Sequence, residues 1–284
     1  MGYNQHQSFY LRDRWLGKGL RALQENERFF FLDDAFERLG LGKNMVQSLR
    51  HWLLATDCAI IDGVGKNRIM KLTSFGKWLL ENDPALKYMD TIAILHYNIV
   101  SEVEPSSSWY WYFNLNNEII SDKEDLFIRL SQWVQERETR VVSENSIQRD
   151  VDVLLNMYST DDRLDDPEEV IFSPLSRLKL VEQNEDMWKK KEVSITEESL
   201  FYIKYSLCKY SNKYKRYEIS LNELVNGKEL LGKVFNMKNA TILNNLIRLE
   251  NDPYYKVNFT RTNNLDYLIL PNISLEDLLR QHTY

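Results

Sequence analysis

The chain holds 284 residues, 43% apolar and 12% aromatic, enough for two or three packed units around a sizeable core. No apolar run approaches the roughly 20 residues of a membrane-spanning helix, and Cys58 and Cys208, each among apolar residues, fit small buried hydrophobes better than a disulfide framework and do not suggest zinc. The net charge of −6 argues against a nucleic-acid partner until its distribution is read: residues 1–80 carry 12 Lys+Arg against 8 Asp+Glu, residues 81–200 carry 12 against 26, and residues 201–284 carry 12 against 8.

Two basic ends therefore flank an acidic middle, so two surfaces can face DNA while the middle holds a metal, meets a basic partner or stays solvated. The first ten residues lack the basic and apolar regions of a secretory signal, and a cytoplasmic location is expected. Arg12 and Lys18 are the first candidate phosphate contacts. Residues 33–83 carry the clearest local pattern. Asp34 and Glu37 form an Asp-x-x-Glu helix start, and Leu39-Gly40-Leu41-Gly42 breaks that helix into a turn. A second helix is predicted from about Lys43 to Leu54. Met45, Val46, Leu49, Trp52 and Leu53 form its apolar stripe, Lys43, Asn44, Gln47, Ser48 and His51 lie largely opposite, and Arg50 is on the flank.

Residues 58–62 and 68–72, joined by Gly63-Val64-Gly65-Lys66-Asn67, read as a two-stranded hairpin, and Thr73 caps a closing helix. Helix, turn, helix, hairpin and helix is the order of a winged helix. Lys43 and Arg50 suit phosphates or guanine edges, Asn44 and Gln47 suit adenine, and Lys66 and Arg68 sit on the wing. A protein-interaction module, or a polar face that is merely solvated, has the same pattern.

The middle reads as helical, with apolar residues at helical spacing over 91–100, 126–135 and 147–158. Trp109 to Asn114 suits base stacking or, more plainly, core packing. Two linkers are predicted, at Glu104 to Ser108 and at Asp161 to Glu169, and the second is taken as the domain boundary. The expected organisation is an N-terminal helical domain over 1–160, an acidic linker over 161–195 and a winged-helix-like domain over 196–284. The fold class is mainly α with small β-hairpins: an N-terminal winged helix, a central helical region and the C-terminal module.

In that last part, capping boxes start helices at Ser194 and Ser220, a third helix spans 238–249, and strands near 254–260 and 265–270 flank Arg261. Lys238, Asn239, Thr241, Asn245 and Arg248 are left facing solvent or a groove. Lys204, Lys209, Lys213, Lys215 and Arg216, interleaved with tyrosines, read either as a stacking and cationic surface or as an amphipathic helix with a basic end.

Several segments in series over about residues 9–158 resemble a bacterial family long filed as a domain of unknown function, DUF4007, which includes SspB-like proteins. They are Leu11 to Gly19, Leu39 to Met45, Leu72 to Gly76, Asp83-Pro84 with Thr91 and Leu95-His96, Trp109 to Asn114, and Arg149-Asp150-Val151. The resemblance implies a component of a DNA phosphorothioation system that nicks DNA for sulfur insertion, with a cysteine desulfurase, an ATPase and an ATP-pyrophosphatase-like protein as partners. Nicking would call for Mg²⁺ or Mn²⁺ held by clustered carboxylates. No nuclease motif is legible, and no catalytic residue is assigned. Asp161, Asp162, Asp165 and Asp166 are the candidate ligands, a solvated loop being the plainer reading. Asp150 and Asp152 point apart on a helix, and His96 reads as a core histidine before it reads as a general base. A non-catalytic DNA-binding adaptor or transcriptional regulator is the alternative.

Overall fold

The computed structural model describes residues 2–159, 172–195, 200–262 and 265–284. It is mainly helical with three small antiparallel sheets among the described residues. Its first part runs α1 (Trp15–Glu25), α2 (Ala35–Leu39), α3 (Lys43–Ala55), β1 (Ala59–Asp62), β2 (Ile69–Leu72) and α4 (Ser74–Asn82). β1 and β2 pair from Ala59 with Leu72 to Asp62 with Ile69. Thr73 caps α4 by accepting from the Gly76 amide. Asp34 does not cap α2 with its side chain; its carboxylate turns to Arg38, 2.8 Å away. Gly40, at φ 62°, ends α2 in the left-handed conformation that glycine adopts without cost. A Cβ at Gly76 would overlap the carbonyl oxygen of Cys58, so α4 lies directly on the root of the hairpin.

The middle holds α5 (Met89–Val100), α6 (Ser107–Tyr110), a π-helical turn (Trp111–Leu115), β3 (Ile120–Ser121), α7 (Lys123–Arg137) and α8 (Glu144–Tyr158). Every residue of α5 from Asp90 to Val100 is buried, as expected of a helix without a polar face. Its few polar groups fasten distant segments. Asn98 donates to the Thr56 carbonyl at 2.9 Å, and an Asp90 oxygen accepts the Tyr202 amide at 2.9 Å. Ser106, Ser107 and Ser108 are buried, so the expected linker at Glu104 to Ser108 is instead the entrance to α6.

The expected acidic linker is folded over its described part. β4 (Val181–Asn184) and β5 (Met187–Lys190) form a hairpin whose second strand also pairs with β3, and Leu175, Leu178, Leu180 and Trp188 are buried. Apolar residues at 175–181 make this segment part of the core, while its neighbour at 160–171 lies outside the described residues. The last part runs α9 (Phe201–Tyr214), β6 (Glu218–Ser220), α10 (Leu221–Asn226), α11 (Leu231–Val234), α12 (Asn239–Leu249), β7 (Asn258–Thr262), β8 (Leu265–Ile269) and α13 (Leu275–Gln281). Its sheet has the order β6-β8-β7. The capping box at Ser220 and Glu223 is formed in both directions. The box expected at Ser194 rests on residues 196–199, outside those described. α13 packs on α4 and α9, and the buried apolar residues of all these parts form one core. Among the described residues, no helix is long and apolar enough to cross a membrane.

Candidate nucleic-acid interface

α3 presents Lys43, Asn44 and Gln47 to solvent, as the periodicity predicts. Ser48 and His51 depart from that reading, because both are buried. The backbone at Phe9 covers this side of the helix: its carbonyl accepts from Ser48 Oγ at 3.1 Å and from Trp52 Nε1 at 3.0 Å. His51 lies 4.8 Å from the Trp52 ring, and burial, with a smaller contribution from His6, lowers its pKa to about 3.

Beside the open face of α3, three elements converge on one aromatic ring. Phe31 ends the short 3-10 turn Phe29–Phe31. The Arg50 guanidinium carbon, from α3, lies 4.8 Å from the ring centroid, and that of Arg68, from the hairpin, lies 5.4 Å from it. Arg68 Nε donates to the Gly65 carbonyl at 3.1 Å, and Arg28 donates to the Lys66 carbonyl, also at 3.1 Å. Burial, with the Arg68 charge adding to it, lowers the Arg50 pKa. Among the described residues, Arg28, Arg50 and Arg68 have no carboxylate ion-pair partner, whereas neighbouring Arg38 and Lys71 are matched by Asp34 and Asp62. The turn places Val64 in solvent at 87% exposure, between Gly63 and Gly65 at φ 81° and 59°.

The sequence pattern pointed to Lys43, Arg50, Lys66 and Arg68 but not to Phe31 or Arg28. The consecutive phenylalanines 29–31 directly after Arg28 were the available signal, since only two of those rings enter the core. Elsewhere, Lys43 lies over Phe36 at 4.8 Å, Arg12 over Phe9 and Trp15 at 5.3 Å each, and Lys18 is exposed on α1.

The C-terminal candidates divide. Lys238 and Arg248 are exposed at the two ends of α12, whereas Asn245, expected on its open face, is buried. Arg261 is on β7 opposite Asp266. The lysine and tyrosine run of α9 is mostly turned inward. Lys204 pairs with Asp252 at 2.6 Å, Lys209 with Asp57 at 2.7 Å, and Lys213 with Glu102 and Glu229 at 2.9 Å each. Arg216 pairs with Glu223 at 2.7 Å, which leaves Lys215 as the exposed cation of that cluster without an ion pair among the described residues.

The remaining chemistry-bearing groups are structural. Trp109, Tyr110, Trp111, Tyr112 and Phe113 are buried in the core, which removes them as a base-stacking platform. Asp150 is buried and Asp152 pairs with Lys123 at 2.9 Å on the surface, so the two do not share a site. His96 Nε2 donates to the Val234 carbonyl at 2.7 Å, which leaves Nδ1 to accept the Tyr158 hydroxyl at 2.7 Å. Burial lowers its pKa to about 3, making it a neutral core histidine. Among the described residues no three His, Cys, Asp or Glu side chains gather as a metal site, and Asp161, Asp162, Asp165 and Asp166 lie outside those residues.

No curated protein matches this sequence. Two solved structures do: a magnesium-ion-bound crystal structure of SspB and a crystal structure of SspB. Each is 26% identical to this chain with a TM-score of 0.87, and the match covers 99% of this chain and 86% of the other. The family described as protein of unknown function, DUF4007, matches residues 3–282, and the chain belongs to that family.

Proposed function

We propose that this chain is the SspB-like, DNA-binding component of a bacterial DNA phosphorothioate modification and defence system. The observation that carries the reading is the likeness to SspB along 99% of the chain. The surface of α3 supplies the physical means of binding, with exposed Lys43, Asn44 and Gln47 beside arginines that lack carboxylate partners among the described residues. We read α2 to α4 as a winged helix with α3 in the major groove. The order α9, β6, α10, α12, β7 and β8, with β8 central in its sheet, favours a second winged helix at the C-terminal end. The proposed partners are double-stranded DNA and the cysteine desulfurase, ATPase and ATP-pyrophosphatase-like proteins of such a system, in the cytoplasm.

Within that role we propose strand nicking dependent on Mg²⁺ or Mn²⁺, giving sulfur insertion access to one strand. The support is the likeness to a protein whose crystal structure has been obtained with magnesium bound. Asp161, Asp162, Asp165 and Asp166, outside the described residues, are the proposed ligands. A non-catalytic adaptor is the second reading, favoured by the burial of His51 and His96 as neutral core groups. Supercoiled plasmid incubated with pure protein and Mg²⁺ or Mn²⁺ separates the two. Open circles that disappear with chelator support nicking, and binding without any cut makes the chain an adaptor.

A further inference from the structure

We infer that Arg50, Phe31 and Arg68 form a clamp for the sugar–phosphate backbone of a nucleic-acid duplex, holding phosphate rather than reading bases. The inference rests on the proposal that the α3 and hairpin surface faces DNA. Arg50 comes from the helix, Arg68 from the hairpin and Phe31 from the turn between α1 and α2, so the site exists only in the folded chain.

Three observations select phosphate. First, both guanidinium groups are held against one ring, and stacking on an aromatic occupies the flat face of a guanidinium while leaving its N–H edges to donate. Phosphate oxygens accept from those edges, often in pairs. Second, two positive charges are gathered with no carboxylate ion-pair partner among the described residues, while Lys71 and Arg38 close by are matched by Asp62 and Asp34. Arg50 is half-buried as well, so its charge has given up water without gaining a protein counterion. An anion arriving from outside removes that penalty. Third, the Arg28 and Arg68 bonds to the Lys66 and Gly65 carbonyls fix the hairpin turn against the clamp, so the donors are oriented before a ligand arrives. A base-reading arginine needs an extended side chain in the groove. Arg50, laid back on Phe31, leaves that task to Lys43, Asn44 and Gln47.

Duplex binding by the full chain, followed by fluorescence anisotropy with two oligonucleotide duplexes of unrelated sequence across a salt series, tests the clamp. Arg50→Gln and Arg68→Gln should each weaken binding to both duplexes alike, by about three- to tenfold, and lower the slope of log affinity against log salt by about 1. Phe31→Leu should weaken binding less and leave the slope unchanged. Thermal melts confirm that each variant is folded, and Arg50→Lys, which keeps the charge and loses the stacked fork, should fall between Arg50→Gln and the parent. Loss confined to one duplex sequence overturns the inference in favour of base reading. Unchanged affinity in both glutamine variants, with a loss in Lys43→Ala, overturns the clamp and leaves the DNA reading standing. A parent chain that binds neither duplex removes both. Calorimetric titration with inorganic phosphate separates the remaining source of the same anion: tight, Arg50-dependent binding of free phosphate that duplex does not displace overturns the assignment to a nucleic-acid backbone.

Discussion

His6 Nε2 stands 2.9 Å from Asp150 Oδ1, with both residues fully buried and 144 positions apart in the chain. The same carboxylate takes the Ser108 hydroxyl at 2.5 Å and the Asn4 amide at 2.7 Å, so one side chain of α8 ties the N-terminal segment to α6. Replacing Asp150 with alanine strands three donors, two of them fully buried, and the expected cost is about 3 kcal/mol or more of stability. Urea denaturation measures it. A variant that stays near parental stability and loses only DNA-dependent activity would show that this carboxylate does chemistry instead.

Acid should weaken the fold through its histidines. Burial takes the pKa of His51 and His96 from 6.5 to about 3, so between these values the unfolded chain binds the extra protons. Their contribution is fully present above about pH 6.5 and is lost progressively as the pH falls towards 3. A fall of about 2–3 kcal/mol per pH unit from the two together is the expected slope near pH 5. Replacing His96 with glutamine should remove roughly half of it, as read from urea midpoints between pH 4.5 and 7.5.

Lys190 predicts a further rise of stability with pH on the alkaline side. Its ammonium is buried against the Tyr112 and Asn116 carbonyls at the end of the π-helical turn, and it lies 4.6 Å from the Tyr112 ring centroid. Burial, with the charges of Lys233 and Arg129, lowers its pKa from 10.5 to about 7. Between those values unfolding takes up a proton, so stability should rise from pH 7 to 8.5, by up to about 1.4 kcal/mol per unit. The same titration on Lys190→Met should be flat. A parental curve that is already flat would mean that the lysine stays charged in the folded chain.

Lys213 and Arg50 should behave as opposites in the same pair of assays. Lys213 is held between Glu102 and a Glu229 side chain only 8% exposed. Lys213→Ala should cost about 2–4 kcal/mol of stability by leaving that carboxylate unmatched, and should leave the salt slope of duplex binding unchanged. A reduced slope in a variant of normal stability would return this lysine to the candidate interface.

Ser220 tests the C-terminal module. Its hydroxyl accepts from the Glu223 amide while the Glu223 carboxylate accepts from the Ser220 amide. Ser220→Ala should lower stability by about 1 kcal/mol, with the loss appearing as faster amide exchange in the first turn of α10.

The elements that were legible in the sequence are those specified by neighbours. α3 and α4 follow from apolar spacing and the Thr73 cap, β1 and β2 from a glycine-bearing turn, and α10 from its capping box. The parts that were not legible depend on distant chain. Ser48 and His51 have polar spacing on α3, and distant chain makes that side interior: the carbonyl of Phe9, 39 positions from Ser48, and the hydroxyl of Ser106, 55 positions from His51. Lys209 reads as a surface cation until Asp57, 152 positions away, is placed beside it. The clamp was half visible for the same reason: cationic residues announce a basic surface, but the ring that gathers them lies in a turn with no periodicity of its own.

The close seat of Gly76 on the Cys58 carbonyl joins α4 to the hairpin. Not even a methyl group's width is left between the helix and the root of the hairpin. α4 is moored in turn to the last residues of the chain: Ser74 Oγ meets Glu276 at 2.8 Å and Trp78 Nε1 meets the His282 carbonyl at 2.6 Å. The hairpin that carries Val64 and Arg68 is therefore braced, through α4, by residues 276–282. α13 is a stay for an element more than two hundred residues upstream.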